Sequence, residues 1–159
     1  MKPKSSQPAL LAEQLRRAFY GNAWHGPAVL DLLQDVDAAT AAAKPIPDVH
    51  GIWELVLHIA AWDNAAIRRL AGEKCQPKGL ANFPPVAKPT EAAWRIAVAQ
   101  ARRTHDQLVK IVAALPESRL RDRVPGKRYD FYFMLQGVAQ HELYHAGQIA
   151  ILKKAARIG

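Results

Sequence analysis

The stretch Asp130–Ala156, DFYFMLQGVAQHELYHAGQIAILKKAA, decides how the chain is read. Its inward-type residues recur as Met134, Val138, His141, His145, Ile149 and Leu152, spaced by three and four. That is the period of one helix face, and no proline interrupts it across 27 positions. The stretch predicts a long closing helix that carries two histidines on its core side.

Working outward, three more stretches repeat the pattern. Residues from about Pro8 to Tyr20 carry Leu11, Leu15, Ala18 and Phe19. Residues Ile52 to Leu70 carry Ile52, Leu55, Ile59, Trp62, Ala66 and Leu70, with Gly72 placed as a C-terminal cap. A third set runs Trp94, Val98, Ala101, His105, Leu108, Val112 and Leu115 behind Thr90, a natural N-cap, and stops at Pro116. A shorter piece with Val29, Leu30 and Leu33 follows the turn Trp24-His25-Gly26-Pro27. The 11 prolines fall in the connections or, like Pro8, where a helix opens. No stretch alternates with period two, and there is no repeat or low-complexity tract. The reading is all-α: a single-domain four-helix bundle spanning residues 1–159, with a long proline-rich connection between the second and third main helices. A connection of that length predicts at least one crossover. Residues 117–129 read as a basic loop.

Composition narrows the functional classes. Half of the 159 residues are apolar, enough for a real core, yet no run reaches the ~18 apolar residues of a membrane span. Met1 to Ser6 lacks the apolar stretch of a secretory signal, so a cytoplasmic location is expected. One cysteine, Cys75, excludes an intramolecular disulfide and a cysteine metal cage. The net charge of +8 is spread over several helices and one loop rather than gathered in a stripe, which argues against nucleic acid as the main partner.

The chemistry lies in the histidines. His141 and His145 stand one turn apart and can chelate one ion. Six histidines in the chain give about 0.2 such pairs by chance, so the apolar context of both carries the weight. His58 occupies the inward stripe of the second main helix. Three imidazoles from two helices leave further coordination positions for water or substrate, the pattern of an open metal site. The string His141-Glu142-Leu143-Tyr144-His145 also spells the H-E-x-x-H of zinc peptidases. The 14 residues after His145 contain no His, Asp or Glu to complete that site, and Gln148 and Ile151 stand where the extended motif needs Gly and His. A di-iron site lacks its second Glu-x-x-His, and no nucleophile elbow is present. Glu54 reads either as an acceptor for the second nitrogen of a ligand histidine or as an exposed first-turn acid. His105 reads as core or pocket lining, His25 as turn or rim, and the four tryptophans mostly as core with some walling a pocket.

The strings Ile52-Trp53-Glu54-Leu55-Val56-Leu57-His58-Ile59-Ala60-Ala61-Trp62 and Gln140-His141-Glu142-Leu143-Tyr144-His145-Ala146-Gly147-Gln148-Ile149 resemble the DinB/YfiT-like superfamily. The order and spacing match from about residue 10 to 155, and the Trp24-His25-Gly26-Pro27 turn is similar to one found in part of it. The resemblance implies a four-helix bundle, often a homodimer, with a divalent metal, zinc or nickel, held by His58, His141 and His145. The position of Glu142 is often Asp in the family. Characterised relatives include metal-dependent S-transferases and isomerases that use low-molecular-weight thiols. The expectation is therefore a metal-dependent thiol S-transferase acting on a small-molecule electrophile. The alternatives are hydrolysis by activated water, with Glu142 or Glu54 as base if either faces the ion, and a non-catalytic metal or small-molecule binding protein.

Overall fold

The computed structural model describes residues 6–157. Met1 to Ser5, on which most of the no-signal reading rests, lie outside them. Six helices form: α1 (Gln7–Tyr20), α2 (Val29–Leu33), α3 (Ala38–Ala42), α4 (Ile52–Leu70), α5 (Glu91–Ala113) and α6 (Phe131–Ala155). Among the described residues there is no strand, only two isolated bridges. Among the described residues no helix is long and apolar enough to cross a membrane.

Local chemistry fixes where the helices begin. Ser6, Asp37, Thr90 and Asp130 each accept a hydrogen bond from a main-chain N–H three residues on, satisfying donors that the first turn leaves free. At α4 the cap residue is Gly51, and Glu54 reaches back to accept from its N–H. Gly72, at φ 96°, lets α4 close with the N–H groups of Gly72 and Glu73 turned back on Arg69 and Arg68.

Two apolar clusters show how the four long helices run. One contains Phe19, Trp53, Val56, Ile59, Trp94, Ala101, Ile149 and Leu152. The other contains Leu11, Leu15, Ala66, Leu70, Leu108, Val112, Met134 and Val138. The chain passes from second to first cluster along α1 and α6, and from first to second along α4 and α5. The bundle is therefore up-down-down-up. Helix α4 packs against α5 and α6, as α1 does, placing α1 across from α4 and α5 across from α6.

Because α4 and α5 are parallel neighbours, residues 71–90 must travel back along a helix of 19 residues, about 28 Å. This is the crossover that the long connection predicts. Three details depart from the sequence reading. Asp37 caps an extra short helix, α3, in the alanine-rich stretch ahead of Pro45. The basic loop contains a 3-10 turn at Glu117–Arg121 that sinks Leu120 into the core. Trp24 is fully exposed rather than core, because it caps the tight turn bridging Ala23 and Gly26.

Candidate metal centre

Between the two apolar clusters lies a polar layer. His58 on α4 and His141 and His145 on α6 meet there, their ligand nitrogens all within 4.8 Å of one another. The Nε2 atom of His141 lies 3.0 Å from Nε2 of His58 and 3.0 Å from Nε2 of His145. Two nitrogens bound to one ion at ~2.0–2.1 Å stand about 2.9–3.4 Å apart for angles between octahedral and tetrahedral. The spacing fits a shared cation. His58 and His145 are each 5% exposed, while His141 is half-buried and lines a cavity.

The outer nitrogens decide the tautomers. Nδ1 of His58 lies 2.6 Å from the main-chain carbonyl of Asn82, and Nδ1 of His145 lies 2.6 Å from Oε1 of Gln148. An oxygen acceptor requires N–H at Nδ1, so each neutral ring turns a bare Nε2 lone pair inward. His141 can satisfy only one of them with a proton. Protonating more rings is opposed, since burial lowers all three. His141 is pushed down to about 3 by burial and then by His145 and His58. Inward-facing lone pairs on neutral imidazoles are the donor set of a divalent cation.

The centre opens on a cavity of about 300 Å³, walled mainly by Trp62, Tyr129, Phe133, Met134 and Val138. Phe83 closes the other side of His58, stacked at 4.0 Å and 8°. His50 stacks on the opposite face of that phenyl group at 3.7 Å.

With this geometry in place, the DinB superfamily profile matches residues 22–149, which include all three histidines and all of α4 and α5. The chain belongs to the DinB superfamily. No curated protein and no solved structure matches it.

In this DinB bundle the remaining candidates settle at distinct places. Glu54 does not serve His58. Its carboxylate accepts from Gly51 N–H at 2.9 Å and pairs with Lys44 and His50, because it occupies the first turn of α4 and is drawn to the free donors there. The acceptor role considered for it falls to the Asn82 carbonyl. Glu142 is fully buried, and its Oε1 lies 3.0 Å from Nδ1 of His105. One residue beyond His141 is a rotation of about 100°, which carries its side chain off the metal-facing line. These contacts lie outside the three-histidine group. His25 is exposed, and His50 belongs to the Phe83 stack.

His105 is at the centre of a second group. Its Nδ1 donates to Asp63 Oδ2 at 3.1 Å, with Glu142 beside the same nitrogen, and its ring stacks on Phe19 at 4.2 Å. Burial alone lowers its pKa, but the bonds and charges of Asp63 and Glu142 outweigh that and raise it to about 10. Burial, and then Asp63, push Glu142 up to about 8. A charged imidazole shared between one carboxylate and one neutral carboxyl group buries less uncompensated charge than one shared between two carboxylates. All four long helices meet at this group, which adjoins the candidate metal centre through Glu142, the neighbour of His141.

Asp63, Asn82, Phe83 and Gln148 escaped the sequence reading. Asp63 carried a signal, an acid on the core stripe between Ile59 and Ala66. Asn82 and Phe83 carried none, since they come from the aperiodic connection.

Proposed function

We propose that this DinB protein is a metal-dependent S-transferase, in which a low-molecular-weight thiol attacks a small electrophile at the His58, His141 and His145 centre. The observation that carries the proposal is the convergence of three Nε2 atoms, two with their tautomers fixed by oxygen acceptors, at the end of a largely apolar cavity. A divalent cation, zinc or nickel, held there supplies the Lewis acidity that keeps a thiol ionised at neutral pH. The chain's own part is to hold three neutral imidazoles, to exclude water from the apolar walls, and to orient the electrophile against the His141 side. The C–S bond forms as the leaving group departs with its electron pair.

The carboxylates favour thiol attack over base-assisted hydrolysis. That form of hydrolysis needs a carboxylate beside the ion, and Glu142 and Glu54 are engaged with His105 and with Gly51. The test is metal content of the native protein followed by turnover of a generic electrophile with a panel of thiols. Saturable, metal-dependent thiol consumption supports the proposal. Turnover without thiol returns the hydrolase, and no turnover with intact metal returns the binding protein.

A homodimer and a cytoplasmic site of action belong to the same proposal. Phe133, Tyr144 and Ile151 on α6 are exposed at 62, 65 and 60% and, at spacings of 11 and 7, fall on one line. Three exposed apolar or aromatic positions on one line of α6, interrupted by Gln140, are the support for a self-association face. Sedimentation of the native protein and of Tyr144→Glu tests it, with a monomer expected only for the variant.

A further inference from the structure

We infer that the cavity beside His141 binds a small organic carboxylate, with Arg69 as its anion-binding residue. Arg69 lines this cavity yet is 3% exposed. Its Nε donates to the Cys75 carbonyl at 2.7 Å, while its Nη2 is buried without a hydrogen-bond partner. Among the described residues no carboxylate pairs with it. A buried guanidinium lacking a counter-ion is expensive, and an anion in the adjoining cavity would relieve that cost.

The placement suits a ligand that also reaches the imidazoles. His58, Trp62 and Arg69 stand at i, i+4 and i+11 on α4, within about 40° of one line. The guanidinium carbon lies 5.5 Å from the centre of the Trp62 ring, and the His141 ring lies 5.8 Å from the same ring. One small molecule can therefore touch both. Among the lining residues Arg69 is the one fixed cation, so in the metal-free protein a singly charged group is matched and a phosphate monoester, with nearly two charges, is not. Apolar walls and one cation together select an amphiphilic monocarboxylate. Only the ligand's arrival at a metal rests on the proposed function; the Arg69 contact does not.

Calorimetric titration of the full-length protein with 4-phenylbutyrate, its neutral amide and phenyl phosphate tests this. We expect the carboxylate to bind at least tenfold more tightly than the amide and, in the metal-free protein, more tightly than the phosphate. Arg69→Met, which keeps the aliphatic packing, should erase the preference for the acid, and Arg69→Lys should keep part of it. Gly137→Leu is a second variant. A Cβ at Gly137 meets nothing within 4 Å, so the larger side chain fills the cavity and should abolish binding of both acid and amide. Each titration is repeated after metal is removed by dialysis against chelator. A preference that survives metal removal but not Arg69→Met supports the assignment, whatever the reaction proves to be. A preference that vanishes with the metal and persists in Arg69→Met assigns the anion to the cation and overturns it. Equal binding of acid and amide, tighter phosphate binding by the metal-free protein, or no binding by wild type also overturns it.

Discussion

The main-chain carbonyl of Asn82 accepts a 2.6 Å hydrogen bond from Nδ1 of His58, tying the crossover connection to the metal centre. The Asn82 side chain accepts in turn from the Trp62 indole at 2.8 Å, so one residue holds both the ligand's tautomer and the cavity wall. Loss of such a support typically weakens metal binding 10–100-fold. For Asn82→Ala we expect zinc affinity about tenfold lower in competition with a chromophoric chelator, at unchanged helix content. Wild-type affinity would show that the carbonyl is held by the connection alone.

Replacing His141 or His145 by alanine should release the metal and remove activity while leaving the helices formed. The apolar clusters on either side of the polar layer supply the core, and the imidazoles supply the site. Metal analysis and circular dichroism check this. Complete unfolding in native buffer would make the ion structural.

Glu142→Gln separates thiol transfer from peptide hydrolysis. Raised to about 8, Glu142 is largely a neutral carboxyl at pH 7, which glutamine matches in shape and charge. We expect the variant to fold, keep its metal and retain most thiol-dependent turnover. Peptide cleavage by the wild type that disappears in Glu142→Gln would instead identify a peptidase base.

Stability should fall with alkaline pH through His105. Its pKa is raised from 6.5 in the unfolded chain to about 10 in the fold, so the folded state holds a proton that the unfolded state releases. The contribution is complete below about pH 6.5 and is lost progressively toward pH 10, at no more than about 1.4 kcal/mol per pH unit for one proton. Asp63 on α4, Glu142 on α6 and Phe19 on α1 face this ring. Glu142, raised to about 8, adds to the decline between pH 6.5 and 8, so the step above pH 8 reports His105. Urea unfolding at pH 6.5, 8 and 9.5 should give declining stability, with a shallower decline in Asp63→Asn. A flat profile would mean that His105 is neutral in the fold.

The periodic apolar positions by themselves determined four long helices, their caps at Thr90 and Gly72, and a crossover along residues 71–90, because helix period and capping are set by near neighbours. The same period put His58, His141 and His145 on inward faces, and the resemblance of their surrounding strings joined them into one centre. What each side chain meets across the bundle depends on helix register, which no local pattern encodes. Tertiary packing therefore decided that Glu142 turns to His105 although its motif spells a peptidase base. It decided that Asp63, which the sequence reading passed over, completes that buried group, and that an aperiodic connection returns Asn82 and Phe83 to His58. It also left Arg69, which in sequence resembles any arginine near the end of a helix, buried beside the cavity without a counter-ion. The sequence alone assigned residues to faces; the relative rotation and height of α4, α5 and α6 chose their partners, since a turn of about 100° separates His141, which faces the other two imidazoles, from the Glu142 that follows it.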